Sequence, residues 1–418
     1  MALTMGFRKA EMRGGERPEP HGVCQALAGL FLVVCLAEAD KQAELEPTDE
    51  EIMALFHPSI ALAMGRLAAY SYCGNKLQPA RVEHCPSCER AGFEVVKGSV
   101  EKLFVPFHDD PEANFFILAQ FVRTDDDAKD VPSKGCFVVT RGSSNKANWV
   151  SNFQMGMVDP EWSQCPDCRL HKGYHGVYDR ALPGIQKYLD AHGCGREDGD
   201  SVWITGHSLG GAVSSIMIAG LTDLGYNVAL SYVLEPPMTG NEAYRQYFLN
   251  SVARNHQPVP VIRLTNGQDT APSYPWNTKL AAYVPLPYEF FSDPVWGTHR
   301  ICRNASTDCA AGVDHRQFWA DKSIYTDHVI LWYAPHHMMT AAWRVPQWCT
   351  VNPDPVWMYM EFSLVSLYVF VFEAGLWNAV IRSLLLFILG GILVAVCVRC
   401  SCRGHKCLGN HYKRIPEK

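Results

Sequence analysis

Two long apolar runs stand near the ends of the chain, and short apolar runs alternate with longer amphipathic ones between them. Near the start, Val23 to Ala37 reads VCQALAGLFLVVCLA, an apolar run of 15 residues that follows Arg8, Lys9, Arg13 and Arg17. Ala37-Glu38-Ala39 comes next, a small-x-small cleavage pattern, so residues 1–39 read as a secretory signal. Fifteen residues are short for a bilayer, which argues against an uncleaved anchor. Near the other end, Ala379 to Val398 reads AVIRSLLLFILGGILVAVCV, 20 residues whose one charge, Arg382, lies where a long side chain can snorkel. At helical rise that run crosses the hydrocarbon core, and a transmembrane helix is expected over 379–398. Val356 to Phe372 is nearly as apolar, but Glu361 interrupts it and Glu373 closes it. A hairpin of two spans would return the chain to the side it came from, so 356–378 reads as an interfacial segment leading into the span.

Between these runs, residues 40–355 have the length of one large domain. Cys136 to Arg141 is a short β-type run ended by Gly142, and Ser201 to Thr205 is another. Gly211 to Leu224 has helical spacing, while Ala229 to Leu234 and Val259 to Leu264 read as further buried strands. Strands alternating with helices predict a mainly parallel sheet covered on both faces.

Composition changes this picture little. Hydrophobic residues are 48% of the 418, which excludes disorder of the whole chain. With 37 Lys+Arg against 43 Asp+Glu there is no broad basic field, so nucleic acid is not an expected partner. Local charge matters more. Residues 399–418 carry Arg399, Arg403, Lys406, Lys413, Arg414 and Lys418 against Glu417 alone. That bias places the basic, Cys-rich tail in the cytoplasm, and with the signal it describes a single-pass type I protein whose bulk is extracellular or lumenal. Ten cysteines fall inside the expected ectodomain, an even number that favours disulfides. Cys85-Pro-Ser-Cys88 and Cys165-Pro-Asp-Cys168 stand too far apart for a zinc ribbon. Asn304-Ala305-Ser306 makes Asn304 a candidate glycan site.

Chemistry enters at Gly206-His207-Ser208-Leu209-Gly210, a G-x-S-x-G run between a predicted strand and a predicted helix. A tight turn there lifts the serine hydroxyl clear of the sheet, and the helix start sets N–H dipoles beside it. A serine nucleophile needs a base, and the base an orienting acid, in the order Ser, Asp, His. Asp269 lies just past a predicted strand, where a sheet presents functional groups. His299, His315 and His328 all lie beyond it, and position alone leaves the base open among them.

The same segments resemble, in order, the class 3 (fungal-type) triacylglycerol lipases. Arg141 to Trp149 is similar to the segment that supplies an oxyanion-hole residue and begins the lid; His171-Lys172-Gly173-Tyr174 with Tyr178 is similar to a second motif. Gly206 to Ala212 matches the serine elbow, Arg263 to Pro275 the aspartate segment, and Asp314-His315-Arg316-Gln317-Phe318-Trp319 the histidine segment. The resemblance implies an α/β-hydrolase fold, with Ser208 as nucleophile, His315 as base and Asp269 as acid. It gives the N–H groups of Ser143 and Leu209 the role of oxyanion hole, and makes 145–154 a lid whose Trp149 and Phe153 cover an acyl site. It sets Cys302 and Cys309 where some members have a disulfide. The reaction it implies is ester hydrolysis on lipids, at a membrane, without metal or cofactor. One departure stands out: Glu235-Pro236-Pro237 occurs where the family usually has glycine followed by Gln-Pro-Arg. A catalytically silent binding protein and an esterase for soluble esters are the rival readings. The three intact triad candidates argue against the first, and the apolar lid residues against the second.

Overall fold

The computed structural model describes residues 48–124, 132–196, 199–251, 261–267, 269–275, 282–293, 298–303 and 308–310, with Leu384 and Ile388. The signal segment, the interfacial segment, the tail, Asn304 and His315 lie outside the described residues, as does the transmembrane span but for Leu384 and Ile388. Among the described residues, no single helix is long and apolar enough to cross a membrane.

The chain divides into a unit ending at Leu55 and a second from Phe56 onward. In the first, helix α1 (Asp49–Leu55) opens on a reciprocal cap. Thr48 Oγ1 accepts the Glu51 N–H at 3.2 Å, and the Glu51 carboxylate accepts the Thr48 N–H at 2.6 Å.

The second unit begins with α2 (Pro58–Ser71), then two five-residue helices, α3 (Pro79–Glu83) and α4 (Pro86–Arg90), each with proline in its first turn. Three strands follow: β1 (Phe93–Val95), β2 (Glu101–Phe107) and the 14-residue β3 (Asp110–Arg123). Only His108 and Asp109 link β2 to β3, and His108 takes φ 52°, the left-handed backbone that a two-residue hairpin needs. Next come β4 (Lys134–Thr140), α5 (Lys146–Phe153), the short β5 (Met157–Val158) and β6 (Leu170–His171), and α6 (Lys172–Ala191). The central repeat is β7 (Ser201–Gly206), α7 (Leu209–Asp223), β8 (Ser231–Leu234), α8 (Glu242–Ser251) and β9 (Val261–Asn266), closed by β10 (Glu289–Asp293) and β11 (Thr298–Cys302).

Beside the two-stranded β5–β6 pair, the described strands form two larger sheets, one of β1, β2, β3, β4 and β7 and one of β8 to β11. They adjoin through parallel bridges from Val202 to Val228 and from His207 to Leu234. Pairing is parallel from β4 through β7, β8 and β9 to β10, and antiparallel at β1–β3, β2–β3, β3–β4 and β10–β11. The sheet is therefore mixed, with a parallel centre between antiparallel flanks, a correction to the mainly parallel sheet expected. The reason is chain length: parallel neighbours need a crossover of a dozen residues or more, and the β2–β3 and β10–β11 links are far shorter.

The centre is buried on both faces. Val202, Ile204, Cys136 and Val138 meet Val177, Ile185 and Leu189 of α6 and Val213 and Ile216 of α7. On the other face Phe93, Phe121, Phe137 and Trp203 form an aromatic stack, with Phe121 and Trp203 parallel at 4.4 Å. Disulfides join Cys85 to Cys88, Cys136 to Cys194, Cys165 to Cys168 and Cys302 to Cys309, and Cys73 is also disulfide-bonded.

Candidate active site

Strand β7 ends at Gly206 and helix α7 begins at Leu209, so the chain reverses within two residues. Ser208 bears that turn with φ 56° and ψ −127°, a backbone state that a side chain enters only at a cost of about 1–3 kcal/mol. Its N–H donates to the Leu234 carbonyl of β8 at 2.9 Å, and its carbonyl accepts the Ala212 N–H at 3.0 Å. The flanking glycines are demanded by close approach. A Cβ on Gly206 would lie 2.4 Å from the Gly210 carbonyl oxygen, and one on Gly210 would lie 2.3 Å from that of Thr140. Ser208 is thus held, half-buried, at the N-terminal end of a 15-residue helix, where unpaired N–H groups favour negative charge.

The contact between Gly210 and Thr140 also brings the exit of β4 against the turn, and Arg141, Gly142 and Ser143 follow. Arg141 is buried, donates to the Glu112 and Ala113 carbonyls at 2.9 and 3.0 Å, and is pushed down to about 10 by that burial. Ser143 is held by its side chain: Asn152 Nδ2 donates to Ser143 Oγ at 3.0 Å. Asn152 stands on α5, which Asn145 caps by accepting the Asn148 N–H at 3.0 Å. Asn148 is almost wholly buried and donates to the Ala113 carbonyl at 2.7 Å. Trp149 and Phe153 both lie on α5, and Phe153 is turned outward, 37% exposed, as is Val150. Among the described side chains of α5, the buried ones are polar: Asn148, Ser151 and Asn152. Neither Tyr72 nor Asn152 is singled out by the sequence, yet Tyr72 Oη lies 2.7 Å from Nδ1 of His207, the residue before the nucleophile candidate. Asn152 falls within the 145–154 segment, but only the fold shows that its side chain holds Ser143 and that Tyr72 meets His207.

Asp269 follows β9, two strands from β7 at the same C-terminal edge of the sheet. It is 2% exposed, its N–H donates to the Asn266 carbonyl at 3.1 Å, and its Oδ1 accepts the Ala271 N–H at 2.9 Å. A buried ion pair braces β9 from below: Arg263 meets Glu289 of β10 at 2.8 Å, and both are buried. Glu289 also accepts the Ala310 N–H at 3.1 Å, and Ser273 Oγ donates to the Ala310 carbonyl at 2.7 Å. The chain after the Cys302–Cys309 disulfide is thereby fastened to the elements that carry Asp269. Glu235 follows directly on β8, with φ 47° and no solvent exposure. Of the three histidine candidates only His299 is among the described residues, and it lies exposed on edge strand β11.

His171 caps α6, its Nδ1 accepting the Tyr174 N–H at 3.3 Å, with the two rings stacked at 3.7 Å. Complete burial pushes its pKa down to about 3, outweighing the pull of the Asn152 carbonyl, so the imidazole is neutral.

Residues 137–279 match the family model "Lipase (class 3)". The match takes in the serine turn, Ser143, α5, Glu235 and Asp269. The chain is 27% identical over 241 residues to a secreted mono- and diacylglycerol lipase of Fusarium solani, covering 54% of this chain and 64% of that one. It is 24% identical over 181 residues to phospholipase A1-IIgamma of Arabidopsis thaliana, covering 36% and 41%. The chain thus spans under two thirds of these relatives' lengths. Among solved structures, it is similar to a fungal lipase–inhibitor complex at TM-score 0.49 and 20% identity, covering 73% of this chain and 98% of that one. For the mono- and diacylglycerol lipase of Aspergillus oryzae the values are 0.46, 21%, 69% and 99%.

Proposed function

We propose that the chain is a serine hydrolase that cleaves carboxylic ester bonds of acylglycerols or phospholipids. The observation that carries this reading is Ser208: a strained, half-buried serine on a strand-to-helix turn, inside the segment that matches the class 3 lipases. The relatives named as mono- and diacylglycerol lipase and as phospholipase A1 support lipid esters as the substrate class. In this reading His315 takes the Ser208 proton as the oxygen attacks the ester carbonyl, and Asp269 stabilises the imidazolium. The proton then passes to the leaving alcohol, and water, activated by the same base, releases the acid from the acyl-enzyme. The Ser143 and Leu209 N–H groups receive the oxyanion, each worth about 3 kcal/mol. Asn152, by holding Ser143, keeps the first of these donors in place.

The reading extends to placement. A signal over 1–39, a span over 379–398 and a basic tail give a membrane-tethered enzyme whose catalytic domain faces the lumen or the outside. Its substrates are then lipids of its own bilayer, with α5 as the lid over the acyl site.

The test is labelling by a fluorophosphonate probe together with fatty-acid release from a mixed-lipid panel, for the parent chain and for Ser208→Ala. Labelling and release by the parent alone are expected. A folded parent that takes no label in detergent or bilayers overturns the reading in favour of a silent lipid-binding protein.

A further inference from the structure

Five described non-glycine residues have φ in the left-handed region, and two of them are neighbours across strands. His207 pairs with Leu234, and Leu234 pairs with Leu264, so the next residues along, Ser208 and Glu235, stand side by side at the ends of β7 and β8. Strands in a sheet lie about 4.8 Å apart. Backbone hydrogen bonds hold both: the Ser208 N–H donates to the Leu234 carbonyl at 2.9 Å, and the Glu235 N–H donates to the Leu264 carbonyl at 2.8 Å. Glu235 therefore lies along the sheet edge between Ser208 on β7 and Asp269 beyond β9. Its side chain has no solvent exposure. A carboxyl group removed from water is costly unless its surroundings use it, and strained non-glycine residues cluster where function holds them. Glycine would meet this backbone without strain, so the glutamate side chain is retained against a local cost.

Resting on the serine hydrolase reading above, we propose that Glu235 is a second acid of the site. It acts through the general base, sharing with Asp269 the stabilisation of the positive charge that arises when the Ser208 proton is taken up. Glu235 is in this sense a positioning residue that does not touch substrate. The titratable groups beside it along this edge are His207 just after β7, whose Nδ1 meets Tyr72 Oη, Arg263 on β9, which pairs with Glu289 of β10, and Asp269.

The test uses the full chain, with p-nitrophenyl butyrate as substrate and fluorophosphonate labelling as a separate readout of Ser208. Replacing a sole orienting acid costs about 10⁴ in rate. With two acids, Asp269→Asn is expected to lose only about 10²-fold, and Asp269→Asn with Glu235→Gln to fall to the level of Ser208→Ala. Glu235→Gln alone should lose about tenfold and move the acid limb of the kcat/KM profile to lower pH, which a structural role would not do. Glu235→Gly fits the backbone and guards against misfolding: it should melt higher than the parent and be slower. Glutamine and glycine variants that keep the parent's kcat/KM within twofold and its pH profile overturn the proposal. So does an Asp269→Asn variant already at the Ser208→Ala level. Equal rates for the parent and Ser208→Ala would instead overturn the hydrolase reading itself.

Discussion

At the scale of single residues, strain and close contact explain why the serine turn reads so clearly in sequence. The spacing of Gly206, Ser208 and Gly210 is imposed by contacts of 2.3–2.4 Å that a Cβ would make with backbone oxygens. Gly206→Ala or Gly210→Ala should therefore destabilise by about 1–3 kcal/mol, seen as a lower Tm, and abolish fluorophosphonate labelling. His171 gives a second prediction. It is neutral when folded, with a pKa near 3, whereas the unfolded chain binds a proton near pH 6.5. Below pH 6.5 the unfolded state holds more protons, so stability falls as pH falls. Between pH 6.5 and 4.5 the loss from this residue is about 2–3 kcal/mol. His171→Asn keeps a capping side chain and should flatten the dependence of Tm on pH in that window. Asp269 was visible for its place after a strand. Tyr72 and Asn152 were not, because each matters through side-chain contacts, to His207 and to Ser143, that no spacing marks.

At the scale of elements, α5 shows how a helix can be written against the usual pattern. Its described buried side chains are Asn148, Ser151 and Asn152, and its outward side carries Val150 and Phe153. Asn148→Ala removes the shortest of the donors to the Ala113 carbonyl, which Arg141 also serves, and the acceptor of the Ser144 N–H, and should cost about 1–3 kcal/mol in denaturant unfolding. Val150→Asp with Phe153→Asp should lower release from emulsions at least tenfold while leaving hydrolysis of p-nitrophenyl butyrate within about twofold. Both rates come from one titration assay. Periodicity gave the strands around the serine turn within a residue or two: 136–141 against Lys134–Thr140, and 201–205 against Ser201–Gly206. It missed the β2–β3 hairpin, where β3 is buried continuously from Ala113 to Ala119 and shows no alternation. Helix α6 was missed as well, with Pro183 inside it.

For the molecule as a whole, covalent links and sheet order act over longer distances. Cys136–Cys194 ties β4 to the turn after α6 across 58 positions, whereas Cys85–Cys88 and Cys165–Cys168 each close a separation of three. Loop-closure entropy gives about 4 kcal/mol for the first and about 2 for each of the others. Removing Cys136 and Cys194 together should therefore lower the unfolding midpoint more than removing either short pair. Disulfides over zinc was legible from compartment and spacing; which cysteine meets Cys136 was not, since pairing depends on the sheet. The mixed sheet was likewise hidden, because strand direction at the flanks follows from connection lengths that the apolar pattern does not mark.

That sheet also has a consequence in time. Ser208, Glu235 and Asp269 come to one edge only after β7, β8 and β9 have aligned side by side, each returned by a crossover of two dozen residues or more. Pairings so distant along the chain form slowly, while helices such as α6 and α7 form locally and early. Competence for acylation is therefore a late milestone of folding. In refolding with disulfides intact, recovery of fluorophosphonate labelling should trail the return of far-ultraviolet ellipticity, and the chain would pass through a helical stage that cannot yet react.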